Sequence, residues 1–249
     1  MKILELINSF YDAIDLIDSE ESLVDALRAL CEHIGFRYFA VVHHVDFGKS
    51  PQGAIRHHNY PKDFASYFDA NELGVRDPVH RASQLRGAGF LWSTLPRLLS
   101  LSKEDRAVGE RAQEAGIGDG FTVPFNVPGE YTGSCSFAMS LGTPFQPEHI
   151  PLAQALGIFA FEAARRLHRR GNEAHILPVR LTNREREIVL WLGHGKQEKE
   201  IARKLDISVA TVNGHLRNAR ANCGVHKSHL LIVCGLLAGS ITYNELLAA

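Results

Sequence analysis

Residues 181–223 read LTNREREIVLWLGHGKQEKEIARKLDISVATVNGHLRNARANC. Three helices and their punctuation can be read from this stretch. Thr182 followed by Glu185 is a capping box, so a helix starts there, with Ile188, Val189 and Leu192 as its buried stripe and Gly193 or Gly195 as its stop. Gln197–Leu205 is a second short helix whose Ile201 and Leu205 are four apart and face inward. The small Ala202 lets the next helix cross closely. Asp206-Ile207 turns the chain, and Ser208 caps a third helix over Val209–Cys223. In that helix Val212, Leu216, Ala219 and Cys223 point inward, and Asn213, Arg217 and Arg220 point outward. An outward stripe of one amide and two guanidinium groups suits a major groove, because Arg pairs bidentately with guanine and Asn with adenine. The order of helices is that of a helix-turn-helix, with the later helix reading bases and the earlier helix and capped N-termini meeting phosphates. A fourth helix, Ser228–Ala238, is apolar on more than one side (Leu230, Leu231, Val233, Leu236, Leu237). That surplus predicts a partner, most simply a second copy.

Working outward, the chain of 249 residues is 45% hydrophobic, which suits one large or two ordinary folded domains. The formal net charge of −1 conceals an asymmetry: residues 179–249 carry +4 and residues 1–178 carry −5. A basic tail domain behind an acidic front domain fits nucleic acid at the C-terminal end. The four cysteines form no C-x-x-C pair, which argues against a disulfide framework or zinc ribbon and reads as buried thiols of a reducing compartment. Met1–Phe10 lacks the pattern of a signal peptide and no apolar run suits a bilayer, so a cytoplasmic location without membrane contact is expected.

The front of the chain alternates between the two periods. Leu4–Ile17 and Ser22–Ile34 are helical, and Gly35 stops the second. Phe36–Val45 reads as a strand, Asp46–Gln52 as a polar turn and Ala54–Asn59 as the returning strand of a hairpin. Pro61 opens a short helix through Ala70, and Ser102–Ala115 is a helix ending at Gly116. Strands over Gly120–Asn126 and Ser134–Leu141 flank a Pro128–Gly129 turn, and Pro147–Arg170 is a long helix with Leu152, Leu156, Phe159 and Leu167 near one face. These elements predict an α+β chain: an N-terminal α-β-α sandwich around an antiparallel sheet, then an all-α four-helix helix-turn-helix domain. The expected boundaries are a sensory domain at 1–170, a linker at 171–178 and a DNA-binding domain at 179–249. The apolar faces of Pro147–Arg170 and Ser228–Ala238 are the candidate dimer surfaces.

The C-terminal stretch resembles the LuxR-type DNA-binding domain. The resemblance is carried by L-T-x-R-E-x-E at 181–187, Gly195-Lys196, Glu200-Ile201-Ala202, I-S-x-x-T-V at 207–212, His215 and Asn218. It implies that Lys196, Thr211, Asn213, Arg217, Asn218 and Arg220 contact double-stranded DNA, that the protein works as a homodimer, and that RNA polymerase is a partner. Gly214 within the reading helix, Asn222-Cys223 and Ser228 depart from the family pattern.

The front domain resembles the autoinducer-binding domain of the same family through Tyr60, Asp77-Pro78, Trp92, Gly120, Thr122 and Pro124. By that resemblance the signal is an acyl-homoserine lactone or a related small molecule, and no cofactor is needed. Asp77 would accept the ligand's amide N–H, Tyr60 would donate to its acyl carbonyl, Trp92 would pack on the lactone ring, and Ser136 would add a hydrogen bond. Phe64 and Phe68 stand where the family has Trp and Tyr, which removes an indole donor. Strand alternation places Arg56 and His58 on the face of Tyr60, and His44 with Ala40 and Val42. With His80, these describe a polar pocket suited to an anionic or hydrogen-bonding end and less suited to a long acyl chain.

Other classes fit less well. A phosphorylated receiver needs acidic clusters at strand ends, and residues 1–178 have none. The His pairs at 43–44 and 57–58 lack metal-site spacing, and neither G-x-S-x-G nor a phosphate-binding Gly loop occurs, so an enzyme is not expected. A regulator controlled by protein contact, with Phe64 and Phe68 as plugs, is the alternative to a ligand-responsive one.

Overall fold

The structure, a computed structural model, describes residues 3–49, 54–127, 130–171 and 181–248. The turn expected at Pro128–Gly129, the end of the Asp46–Gln52 turn and most of the linker expected at 171–178 lie outside the described residues. By its contacts the chain forms two compact units, the first of residues 1–126 and 131–173, the second of residues 127–130 and 174–249.

In the first unit, α1 (Ile3–Asp15) and α2 (Glu20–Ile34) lead into the sheet. The Ser19 hydroxyl caps α2 by accepting from the Ser22 N–H, and Gly35 ends it at φ +93°, a left-handed conformation that glycine adopts without strain. The strands are β1 (Tyr38–His43), β2 (Arg56–His58), β3 (Phe90–Leu91), β4 (Ile117–Phe125) and β5 (Gly133–Ser140), all paired antiparallel in the order β2-β1-β5-β4-β3. The expected hairpin is present, with Ala40 opposite His58 and Val42 opposite Arg56. Between β2 and β4 run α3 (Lys62–Ala70), α4 (Leu73–Arg76), α5 (Pro78–Ser83), a 3-10 turn at Trp92–Thr94, α6 (Leu95–Leu98) and α7 (Lys103–Glu114). The long α8 (His149–Gly171) follows β5.

The two faces of the sheet differ in side-chain size. Phe39, Val41, Phe121, Val123, Cys135, Phe137 and Met139 point to one side and form the main core with α1, α2 and α8. The intervening positions on the other side are Ala40, Val42, Gly120, Thr122, Ser134, Ser136 and Ala138, and α3 to α7 cover that side. Small side chains there stop short of the helices, and this sets the position of the cavity described below. The arrangement is the expected α-β-α sandwich. One expectation fails: Leu152, Leu156 and Leu167 of α8 are buried in this core, so the stripe read as a dimer surface is used within the unit, and Ile158 is the large apolar residue it leaves exposed.

The second unit contains α9 (Asn183–Gly193), α10 (Glu198–Lys204), α11 (Val209–Cys223), α12 (Leu230–Leu237) and α13 (Tyr243–Leu247). Four helices were expected, and among the described residues there are five. The extra one is one turn long, too short to show a period. It is held by its own Thr242–Glu245 capping box and by Arg186, which donates to the Ser240 carbonyl and pairs with Glu245. The capping box at Thr182–Glu185 forms as read, and Gln197–Glu200 makes another. Ile188, Val189, Ile201, Val212, Leu216, Ala219 and Leu231 fill the core. Cys31, Cys135 and Cys223 are buried free thiols and Cys234 is half-buried. No helix among the described residues is long and apolar enough to cross a membrane.

Candidate ligand cavity and DNA-reading helix

A cavity of about 820 Å³ lies between the small-residue face of the sheet and helices α3 to α7. Seven of the eight ligand positions read from the sequence line it: Arg56, Tyr60, Phe64, Phe68, Asp77, Trp92 and Ser136. The eighth, His44, does not. Strand β1 ends at His43, so alternation no longer governs residue 44. Its ring is buried behind the wall, sharing a hydrogen bond with Ser134 Oγ (2.9 Å) and stacking on His80, with centroids 3.9 Å apart. Burial, then the neighbouring His80 and His43, push the His44 pKa well below its ordinary value and keep the ring neutral. His80 lines the cavity and shares a 2.8 Å hydrogen bond with the Gly74 carbonyl through Nδ1.

Asp77 sits at the N-cap of α5. Pro78 follows at the first helical position, and Asp77 Oδ1 accepts from the N–H groups of Val79 (2.8 Å) and His80 (3.1 Å). Among the described residues Oδ2 accepts no hydrogen bond. Burial raises the Asp77 pKa, against the opposing effects of His80 and the two backbone donors. The Tyr60 hydroxyl likewise has no partner among the described residues, and its pKa is raised by burial and by the nearby Asp77. A buried carboxylate oxygen and a phenol facing one space favour a ligand that brings both a donor and an acceptor.

Trp92 is positioned by the sheet. Its Nε1–H donates to Thr122 Oγ1 (2.7 Å), which shares a hydrogen bond with Ser136 Oγ (2.8 Å). Gly120 makes room for the indole: a Cβ there would come within 2.7 Å of its ring. The indole N–H is therefore already used, and the ring offers a face to the cavity. Phe64 meets Tyr60 edge-on at 5.7 Å and lies 6.2 Å from Phe68, so the two phenylalanines form wall and leave the cavity open. Arg56 Nη2 donates to both oxygens of Asp69 at 2.8 Å, so its charge is balanced and gives little reason to expect an anionic ligand. Val79, Leu95, Leu101, Val108 and Ile117 add apolar lining, more than the polar reading of the pocket anticipated.

The second candidate site is α11. Ser208 Oγ accepts from the Thr211 N–H (3.0 Å), and Gly224 ends the helix at φ +62°. Thr211, Asn213, Arg217 and Asn218 are exposed on the side away from the buried Val212, Leu216 and Ala219, and Lys196 is half-buried ahead of α10. Arg220 departs from the expected outward stripe. It is half-buried, and its Nη1 donates to Ser228 Oγ at 2.7 Å, which ties it toward α12. On α12, Leu230, Val233 and Leu237 form an exposed apolar stripe at spacings of three and four.

A cavity of ligand size in one unit and a helix-turn-helix in another define a one-chain transcription regulator with its own sensory domain. Residues 19–164 match the model of the autoinducer binding domain, and residues 179–234 match that of the bacterial regulatory proteins of the luxR family. The chain therefore belongs to the LuxR-type quorum-sensing transcription regulators that carry an autoinducer-binding domain. It is similar to the regulatory protein SdiA of Escherichia coli (strain K12), at 26% identity over 205 residues, covering 81% of this chain and 82% of that one. The transcriptional activator protein LuxR of Aliivibrio fischeri is 25% identical over 247 residues, covering 94% and 95%. The fold matches a crystal structure of Escherichia coli SdiA with a TM-score of 0.70 at 21% identity, over 96% of this chain and 98% of that one.

Proposed function

We propose that this chain is a ligand-responsive regulator. It binds a small, uncharged acyl signal in the front cavity and, as a homodimer, an inverted-repeat operator in double-stranded DNA. The observation that carries this reading is the open cavity of about 820 Å³ bearing a half-satisfied Asp77 carboxylate. The volume falls in the range of small-molecule sites, and apolar walls with a few convergent polar groups are what such sites require. Asp77 Oδ2 takes an N–H or O–H of the head group, Tyr60 donates to its carbonyl, Trp92 covers it, and the remaining walls take the chain. The related SdiA fold has been described in complex with octanoyl-rac-glycerol, which supports an acyl ligand. The chain acts without catalysis or cofactor.

On the DNA side, Asn213, Arg217 and Asn218 read bases, and Lys196 and Thr211 meet phosphates. The α12 stripe supports pairing of two copies, with half-sites about 34–36 Å apart and RNA polymerase as a further partner.

Thermal unfolding with a panel of acyl-homoserine lactones and monoacylglycerols tests the proposal. A ligand at a hundredfold excess over its Kd adds about 2.7 kcal/mol to stability. The expected result is a shift with at least one acyl compound. No shift with any of them would refute small-molecule control and favour regulation by protein contact. A monomer at every concentration would refute the dimer.

A further inference from the structure

Residues 207–244 contain no aspartate or glutamate, although they carry Arg217, Arg220 and Lys227. The reading helix, the turn after it and α12 therefore present cations and no carboxylates of their own. By helical position Arg220 lies one turn beyond Arg217. Its tip is drawn off the stripe of Asn213 and Arg217, because Nη1 donates to Ser228 Oγ at 2.7 Å. Both ends of this hydrogen bond stand on fixed backbone. The Arg220 carbonyl accepts from the Val225 N–H (3.0 Å) where Gly224 ends α11. The Ser228 carbonyl accepts from the N–H of Leu231 (3.0 Å), which is fully buried in the core. Among the described residues no carboxylate forms an ion pair with Arg220.

A neutral hydroxyl leaves the guanidinium its full charge and the rest of its N–H fork. That fork matches an anion with several acceptor oxygens, such as a phosphate. Base edges are met by the N-terminal part of a reading helix, whereas its last turn lies at the rim of the groove, where the sugar–phosphate backbone passes. The turn before α12 adds exposed Lys227, flanked by exposed His226 and His229. A free arginine loses rotamer freedom when it binds, and the bond to Ser228 removes that freedom beforehand.

We infer that Arg220 holds a backbone phosphate of the operator and that Ser228 is its positioning residue, so the corner between α11 and α12 grips the duplex without reading it. This rests on the DNA binding proposed above. Arg217 and Arg220, three residues apart on one helix, then have different jobs: the first discriminates between sequences and the second binds all of them alike.

Fluorescence anisotropy with the full-length protein tests this. One probe is a duplex selected by the wild type from a random-sequence pool, the other a scrambled duplex of the same length, each titrated from about 50 to 200 mM KCl. Arg220→Gln should weaken binding to both duplexes by the same factor and lower the slope of log K against log salt by about 0.9 per copy. Ser228→Ala keeps the charge but frees the side chain, and should weaken both by about two- to tenfold. Arg220→Gln combined with Ser228→Arg returns a cation to the corner and should restore the slope, which a purely structural role for the pair would not do. Partial unfolding of a variant lowers apparent affinity but leaves the slope as it was, so the slope decides. An unchanged slope in Arg220→Gln would overturn the phosphate contact. Loss on the selected duplex alone would make Arg220 a base reader instead, and wild-type affinity in Ser228→Ala would overturn the positioning role. Failure of the wild type to bind any duplex would remove the DNA-binding reading itself, and the grip with it.

Discussion

Asp77 divides two jobs between its carboxylate oxygens, and substitution separates them. Oδ1 caps α5 through two backbone donors at 2.8 and 3.1 Å, an arrangement worth about 0.5–2 kcal/mol. Asparagine caps about as well as aspartate, so Asp77→Asn keeps this contribution. It also removes a charge whose burial is unfavourable, as the raised pKa records. The unliganded Asp77→Asn protein is therefore at least as stable as the wild type. Oδ2 is the oxygen assigned to the ligand's N–H or O–H, and a hydrogen bond to a charged group contributes about 1.5–3 kcal/mol. Replacing it by an amide that presents a donor should weaken ligand binding roughly ten- to 150-fold. Asp77→Ala removes the cap as well and should lose about 1–2 kcal/mol of stability without ligand. Urea unfolding of the three proteins, alone and with the acyl compound that gives the largest thermal shift, reads both effects. Wild-type affinity in Asp77→Asn, together with a stability loss equal to that of Asp77→Ala, would show that the carboxylate is purely structural and refute the division.

Three further outcomes are expected. Arg217→Ala should weaken binding to the specific operator by about 1–3 kcal/mol and change binding to a scrambled duplex little; equal losses in fluorescence anisotropy would contradict base reading. Gly214 lies within α11, where an added Cβ meets nothing within 4 Å, so Gly214→Ala should gain about 1 kcal/mol in urea unfolding, and a loss would contradict open surroundings. His44 is held neutral in the folded state with its pKa well below the ordinary 6.5, so the unfolded chain binds more protons and stability falls as pH drops below about 6.5, by up to about 1.4 kcal/mol per pH unit. His44→Gln should flatten this slope in unfolding curves taken between pH 7 and 5, and an unchanged slope would place the titration elsewhere.

The C-terminal unit was legible because each helix carries its own punctuation next to its stripe. Thr182 with Glu185, and Ser208 ahead of Val209, fix starts that the structure reproduces. The same capping-box spacing marks Thr242 with Glu245 at the start of α13, which is too short to show a period. In the front unit the strands and long helices followed their periods, but α4, α5 and α6 have four, six and four residues, too few to show one. Those elements form much of the cavity wall, so the sequence pointed to individual lining residues without showing the enclosure. His44 and Arg220 failed for a common reason: periodicity assigns a face only while the element lasts and nothing else reaches the side chain. His44 is one residue past its strand, and Arg220 in the last turn of α11 is taken by Ser228.

The Arg220–Ser228 hydrogen bond also bears on how an operator is measured. It links the last turn of the reading helix to the approach of α12, whose exposed stripe is the surface assigned to the second copy. In the proposed dimer, pairing through this stripe would set the distance between the two reading helices. Inserting one base pair between half-sites shifts them by about 3.4 Å and rotates them by roughly 35° about the duplex axis. If two copies pair as proposed, a spacer wrong by a single base pair should weaken operator binding, although every base in both half-sites is correct.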